Sequence, residues 1–211
     1  MRPYLEDLIK RLTGPKLQQV GSLPVFASSQ SVSFRAHREA EQLTDVSMVD
    51  ELVEVVQGLT PEERSGCYFI IGKIGSKLGE ERCAAVLLNL LPSETNKENV
   101  ARILDRLADI PKGPLFDLAP VYPFLGAKRS RVRNAAIRAL DNSANPEAEA
   151  HLIAHLAATV DPYDMADCQA VLGRIGTARA LPVIERNLSS RKRDVKGTAQ
   201  VAVASIRGRE A

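Results

Sequence analysis

The sequence predicts an all-α fold, an α-solenoid of about five stacked helical hairpins with an N-terminal helical cap. Three observations carry that prediction. One segment recurs along the chain in a fixed phase, each copy spaces its apolar residues as a helix does, and the composition is rich in small aliphatics but poor in rings. Hydrophobic residues make up 45% of the 211 residues while aromatics are 4% and Trp is absent. A stacking platform for bases or an aromatic-walled pocket wants more rings than that.

The recurrence is plainest between GCYFIIGKIG at 66–75 and DCQAVLGRIG at 167–176, which lie 101 residues apart. That offset is close to three periods of about 34, so two further copies belong between them. They are NVARILDRL at 99–107 and VRNAAIRAL at 132–140, and VKGTAQVAVASI at 195–206 makes a fifth. The closing anchors Ile74, Leu107, Leu140, Ile175 and Ile206 follow one another at 33, 33, 35 and 31 residues. Within a copy, Cys67, Ile70, Ile71 and Ile74 stand at i, i+3, i+4 and i+7, one stripe of an α-helix.

Taken in order, residues 1–45 precede the period. Tyr4, Leu5, Leu8, Ile9 and Leu12 form an amphipathic helical face ended by Gly14-Pro15, Leu23, Val25 and Phe26 are isolated anchors, and 34–43 reads as another short helix. A terminal repeat needs its exposed apolar face covered, so 1–45 is expected to be a cap; a partner-binding arm is the alternative. The array then occupies 46–211, with repeats at 46–78, 79–110, 111–143, 144–177 and 178–211. Between the recurrent helices lie second helices, expected at 48–59, 80–91, 115–125, 147–158 and 180–188. Pro61, Pro146 and Pro162 follow Thr60, Asn145 and Asp161, the composition of a helix start. Alanines recur in the first set, including Ala101, Ala135, Ala136, Ala139, Ala166, Ala170, Ala199, Ala202 and Ala204, and let neighbours approach closely.

The pattern resembles the short HEAT-like repeats, the group that includes the phycobilisome-lyase-type repeats. SRVRNAAIRAL at 130–140 is similar to that group's VR-x-x-A-x-x-A-L core and LGRIG at 172–176 to its L-G-x-I-G ending. The first two copies lack the Val-Arg pair and the alanine run. The resemblance implies that Arg133 and Lys196, at the Val-Arg position, bond to neighbouring repeats. It also brings two alternatives, a nucleic-acid-binding protein of the repair-glycosylase kind and a bilin lyase or chaperone-like relative. The former would call for Trp or Tyr beside an acidic residue in the cleft, and only Tyr68 lies in the expected row.

No motif with catalytic mechanics is present. The glycines of 66–73 are spaced by five residues rather than the four of a phosphate-cradling loop and are followed by Ile74. His151 and His155 at i, i+4 have the spacing of a metal pair, but Leu152, Ile153 and Leu156 mark the buried stripe and turn both histidines outward. Cys67 and Cys168 fall on the buried stripe as packing residues. No catalytic residue, metal or cofactor is expected. Three cysteines without a CxxC pair suit a reducing, cytoplasmic setting, and no segment approaches the ~20 apolar residues of a membrane span.

The face opposite the buried stripe is the expected partner surface, because solenoids bind along their concave side. It reads Tyr68 and Phe69, then Glu98, Arg102 and Asp105, then Arg131, Asn134 and Arg138, then Gln169 and finally Gln200. A row of such mixed chemistry suits another protein better than a uniform phosphate backbone. Charge is uneven: residues 1–125 carry 14 Lys/Arg and 17 Asp/Glu, residues 126–211 carry 14 and 9. Lys128 and Arg129, and Arg191, Lys192, Arg193 and Lys196, form basic clusters at the starts of two copies, a candidate anion site. The sequence therefore points to a non-catalytic interaction scaffold or adaptor with a protein partner.

Overall fold

The computed structural model describes residues 1–14 and 31–211, so the anchors Leu23, Val25 and Phe26 lie outside the described residues. Among the described residues there are eleven α-helices and no strand. They fall into two compact units, Met1–Arg106 and Leu107–Ala211.

In the first unit, α1 (Pro3–Thr13) and α2 (Val32–Ala40) pack against each other and on α4 (Pro61–Leu78). Leu5, Leu8, Ile9 and Leu12 are buried as their spacing predicts, each worth roughly 1.5–3 kcal/mol of transfer free energy. Gly66 of α4 faces Ile9 and Leu12, 3.5 to 3.8 Å from where its Cβ would stand. α3 (Ser47–Val55) and α5 (Glu81–Leu90) pack on α4 from the chain neighbours, and α6 (Lys97–Ala108) follows. α4 starts at a capping box in which Thr60 and Glu63 satisfy each other's backbone N–H, with Pro61 in the first turn. It stops at Gly79, whose φ of 65° is the left-handed C-terminal turn that glycine adopts at least cost.

The second unit holds α7 (Ser130–Ala139), α8 (Pro146–Ala158), α9 (Pro162–Ile175), α10 (Leu181–Glu185) and α11 (Arg193–Glu210). α7, α8 and α11 all pack on α9, and α10 packs on α8 and α11. Arg133 and Arg138 of α7 reach Asp164 and Asp167 of α9 in the same order. Gln169 and Gly173 of α9 meet Val195 and Arg209 of α11 likewise. The three recurrent helices therefore run parallel. Ala135, Ala136, Ala139, Ala199 and Ala202 of these helices are all buried, and Ala202 meets Gly173 across the α9–α11 contact, whereas Ala204 is exposed.

Two expected second helices are not formed as read. Residues 115–125 contain no α-helix: a loop leads to a 3-10 turn at Tyr122–Gly126, and Leu115 is 96% exposed. Pro111, Pro114, Pro120 and Pro123 remove donors and push their preceding residues out of the helical region. The loop is held instead by Lys112, which is 2% exposed. Its Nζ donates to the carbonyls of Leu107 (2.6 Å) and Ile110 (2.7 Å). Its backbone pairs with Asn142 and Ala144, both at 2.8 Å. Residues 180–188 are shortened to a 3-10 turn at Ala178–Ala180 followed by the single turn of α10.

Candidate functional site

In the first unit the recurrent helix α4 is buried on more than one side, and this overturns one member of the expected row. Tyr68 is only 1% exposed, a core residue whose hydroxyl donates to Glu94 at 2.8 Å. Glu94, after the 3-10 turn Leu91–Ser93, also accepts both arms of Arg64 at 2.9 Å, the Asn96 N–H at 2.8 Å and Asn99 Nδ2 at 3.2 Å. Burial alone would raise the Glu94 carboxyl, but Arg64, the Asn96 N–H and the Tyr68 hydroxyl outweigh it and hold the group down at about 2. The cluster fastens α4 to the following repeat.

Phe69, one residue on, is half-buried and reaches a cleft of about 430 Å³. His37 meets its ring edge-on with centroids 4.7 Å apart, and Lys73 Nζ and Arg106 Cζ stand 5.5 and 5.6 Å from its centroid. These are cation–π distances. Glu98, Asn99 and Arg102 of α6 form another wall, with Ser65 and Pro61 from α4. Arg102 is exposed, and among the described residues no carboxylate pairs with it. Asp105 sits half-buried one turn further along α6. Phe69, Glu98 and Arg102 are thus brought together around one concavity, and His37 joins them from outside the repeat period, where sequence spacing gave no signal.

In the second unit Gln169 is likewise not at the surface. It is 0% exposed, and its Nε2 donates to the Val195 carbonyl (3.0 Å) and to Thr198 Oγ1 (2.7 Å). Asn134 is half-buried and donates to Asp164 Oδ1 at 3.0 Å; Arg138 holds Asp167 at 2.8 Å. Arg131 and Gln200 are exposed. Tyr68, Asn134 and Gln169 occupy the same position of three copies, and each fastens its helix to the next repeat.

Arg133 does what the family resemblance implied. It binds Asp164, Asp161 (2.8 Å) and the Ala127 carbonyl (2.9 Å). Lys196 does not; it is exposed and outside every ion pair of the described residues. The histidine reading also changes. His151 is exposed, stacked on Tyr122 with ring centroids 3.6 Å apart, while half-buried His155 turns toward α9 and lies 3.4 Å from Asp164. The stripe has rotated, because Glu149 is buried to accept the N–H and hydroxyl of Thr177, leaving Ile153 half-buried. Among the described residues no three His, Cys, Asp or Glu gather as metal ligands.

Lys128, Arg129, Arg191, Lys192, Arg193 and Lys196 are all exposed, and none is in an ion pair among the described residues. Arg129 and Lys192 are the N-caps of α7 and α11, and neither helix start has a side-chain cap. The two clusters stand at the starts of α7 and α11, both of which pack on α9. The cysteines are core: burial pushes Cys67 up to about 12 and Cys83 to about 11, and raises Cys168 as well. Thiols held so firmly protonated are not nucleophiles at neutral pH.

Solved helical repeat structures are similar to this chain in fold and cover nearly all of it. An engineered protein superposes with a TM-score of 0.58 at 21% identity, covering 98% of both chains. A designed armadillo repeat protein in complex with the peptide (KR)4 gives 0.56 at 17% identity, covering 96% of this chain and 99% of that one. A second designed armadillo repeat protein gives 0.53 at 17%, with the same coverage. The chain has a HEAT-like helical repeat fold. No family model and no curated protein matches the sequence. Within this repeat fold α4, α6, α7, α9 and α11 are the recurrent helices, and in α4, α7 and α9 the polar residue at one fixed position, Tyr68, Asn134 or Gln169, bonds to the next copy. No helix among the described residues is long and apolar enough to cross a membrane.

Proposed function

We propose that the chain is a non-catalytic scaffold or adaptor that binds a partner polypeptide, with residues 1–45 capping the array at 46–211. The observation that carries this reading is the cleft of the first unit, lined both by Arg102, which pairs with no carboxylate among the described residues, and by Phe69, whose ring is flanked by Lys73 and Arg106. A similar repeat fold is seen with a peptide bound. Here the cations around Phe69 favour a segment carrying a carboxylate beside an apolar side chain, the carboxylate for Arg102 and the apolar group for the ring. Three free, buried cysteines support a reducing compartment such as the cytoplasm.

The test is selection of peptides on the full chain from a displayed library, followed by calorimetry. Selected peptides should be enriched in Asp or Glu next to an apolar residue. Arg102→Glu and Phe69→Ala should each weaken them about tenfold or more, with unchanged circular dichroism. Peptides that bind both variants as tightly as the parent would sink the proposal.

The six exposed cations of the second unit, outside every ion pair among the described residues, favour a second reading, a nucleic-acid backbone held by Lys128, Arg129 and the 191–196 cluster. Binding to a labelled DNA duplex would then fall steeply with salt, and neutralising one cluster would lower the slope by about one per lost contact. No binding at low salt would dismiss it.

A further inference from the structure

α7, α9 and α11 run parallel, and α7 and α11 both pack on α9, so the turns before the three helices lie at one end of the second unit. Arg133 ties two of these turns together by holding the Ala127 carbonyl and Asp161. The turn before α9 carries two apolar side chains that nothing covers: Val160 is 86% exposed and Tyr163 is 74% exposed. Neither is needed to shape the turn, which polar groups fix. Asp161 accepts the Tyr163 N–H at 2.9 Å, and Thr159 Oγ1 accepts the Asp161 N–H at 3.2 Å. A single exposed apolar residue is ordinary, whereas a pair held on one braced turn marks a contact surface.

Charge at this end is one-sided. Residues 126–131, 158–163 and 188–196 hold seven Lys/Arg and two Asp/Glu. Of the two carboxylates, Asp161 is taken by Arg133 and Asp194 is the other. Lys128 and Arg129 precede α7, while Arg191, Lys192, Arg193 and Lys196 surround the start of α11. All six are exposed and outside every ion pair among the described residues. The three helix starts add their positive ends.

We infer that this end of the second unit docks on the surface of an anionic lipid bilayer. Val160 and Tyr163 enter the boundary between headgroups and acyl chains, and the cations meet the headgroup anions. Two features choose a bilayer over a folded partner or a nucleic acid. The apolar side chains project instead of lining a groove, which suits a deformable medium, and Val160 has no ring on which a base could stack. Tyrosine settles at a bilayer boundary, its ring below and its hydroxyl among the headgroups. Long Lys and Arg side chains keep their charge in the headgroup layer while their stems follow the apolar pair. Apolar insertion joined to a basic cluster supplies the two signals that peripheral attachment takes. The inference goes beyond both readings above. It shares cations with the nucleic-acid reading but rests on Val160 and Tyr163, which that reading does not use.

The test is sedimentation of the full chain with vesicles of phosphatidylcholine mixed with phosphatidylserine and, separately, of phosphatidylcholine alone. The mixed vesicles should bind about tenfold or more tighter, and less so in high salt. Val160→Ser combined with Tyr163→Ser should weaken that binding about tenfold, with circular dichroism and any affinity for duplex DNA unchanged. The chain has no Trp, so Tyr163→Trp supplies a lone reporter whose emission should move to the blue with mixed vesicles. Unmoved emission, equal binding to both kinds of vesicle, or full binding by the double serine variant would each overturn the proposal. So would a loss of duplex-DNA affinity in that variant without loss of vesicle binding, which would give this end of the unit to nucleic acid.

Discussion

Glu94 shows how much one buried carboxylate can organise. Its two oxygens take Arg64, Tyr68, Asn96 and Asn99, linking α4 to the turn that starts the next helix. Its folded pKa of about 2 lies below the ordinary 4.5, so its stabilising contribution is present above about pH 4.5. It is lost as pH falls toward 2, where the folded state must also take up the proton. Chemical denaturation at pH 7 and pH 3 should show this, and Glu94→Gln should flatten that part of the profile. The same substitution should cost about 3 kcal/mol at pH 7, because it leaves Arg64 and its neighbours without their anion. A Glu94→Gln protein as stable as the parent would show the cluster to be idle. At this scale the sequence was least informative. Tyr68 and Gln169 looked like surface residues because they oppose the Cys67 and Cys168 stripe, yet a helix flanked by repeats buries several faces, and only the hydrogen-bond partners reveal it.

Elements are more legible in the sequence, for a physical reason: the 3.6-residue period and the Thr60, Asn145 and Asp161 starts are local signals. The recurrent helices α4, α6, α7, α9 and α11 lie where the apolar spacing put them. Residues 115–125 have the apolar content of a helix, but Pro120 and Pro123 within them, and Pro111 and Pro114 just before, override it. Nor does sequence distinguish Gly72 from Gly197, which sit in recurrent helices alike. A Cβ at the first would collide with Arg106, while the second has space. Gly72→Val should therefore cost about 1–3 kcal/mol in denaturant titration, against little or nothing for Gly197→Leu. The uncapped starts of α7 and α11 give another element-scale expectation. Arg129→Ser or Lys192→Ser should stabilise the chain by about 1 kcal/mol each by supplying the missing cap, measurable as a raised Tm. If nucleic acid is bound there, the same changes should weaken it, a trade of stability against binding.

For the whole molecule, a fold built from repeats distributes its stability by neighbourhood rather than through one central core. α4 is packed by α1, α2, α3 and α5, and α9 by α7, α8 and α11. Native-state hydrogen exchange should accordingly find the slowest amides in α4 and α9, and fast ones in α2 and the last turn of α11. Protection of α2 equal to that of α4 would contradict this ranking. The fold class was legible because recurrence repeats one weak signal five times. The candidate cleft was legible only in part, since Phe69, Glu98 and Arg102 lie in phase while His37 comes from outside the period.

Lys112 offers an experimental handle of a different kind. An ammonium group sealed under the chain, its protons donated to the Leu107 and Ile110 carbonyls, is shielded from amine-reactive reagents that reach exposed lysines such as Lys128 and Lys192 within minutes. Acylation at Lys112, followed by mass spectrometry over hours, would act as a clock that ticks only when this loop opens.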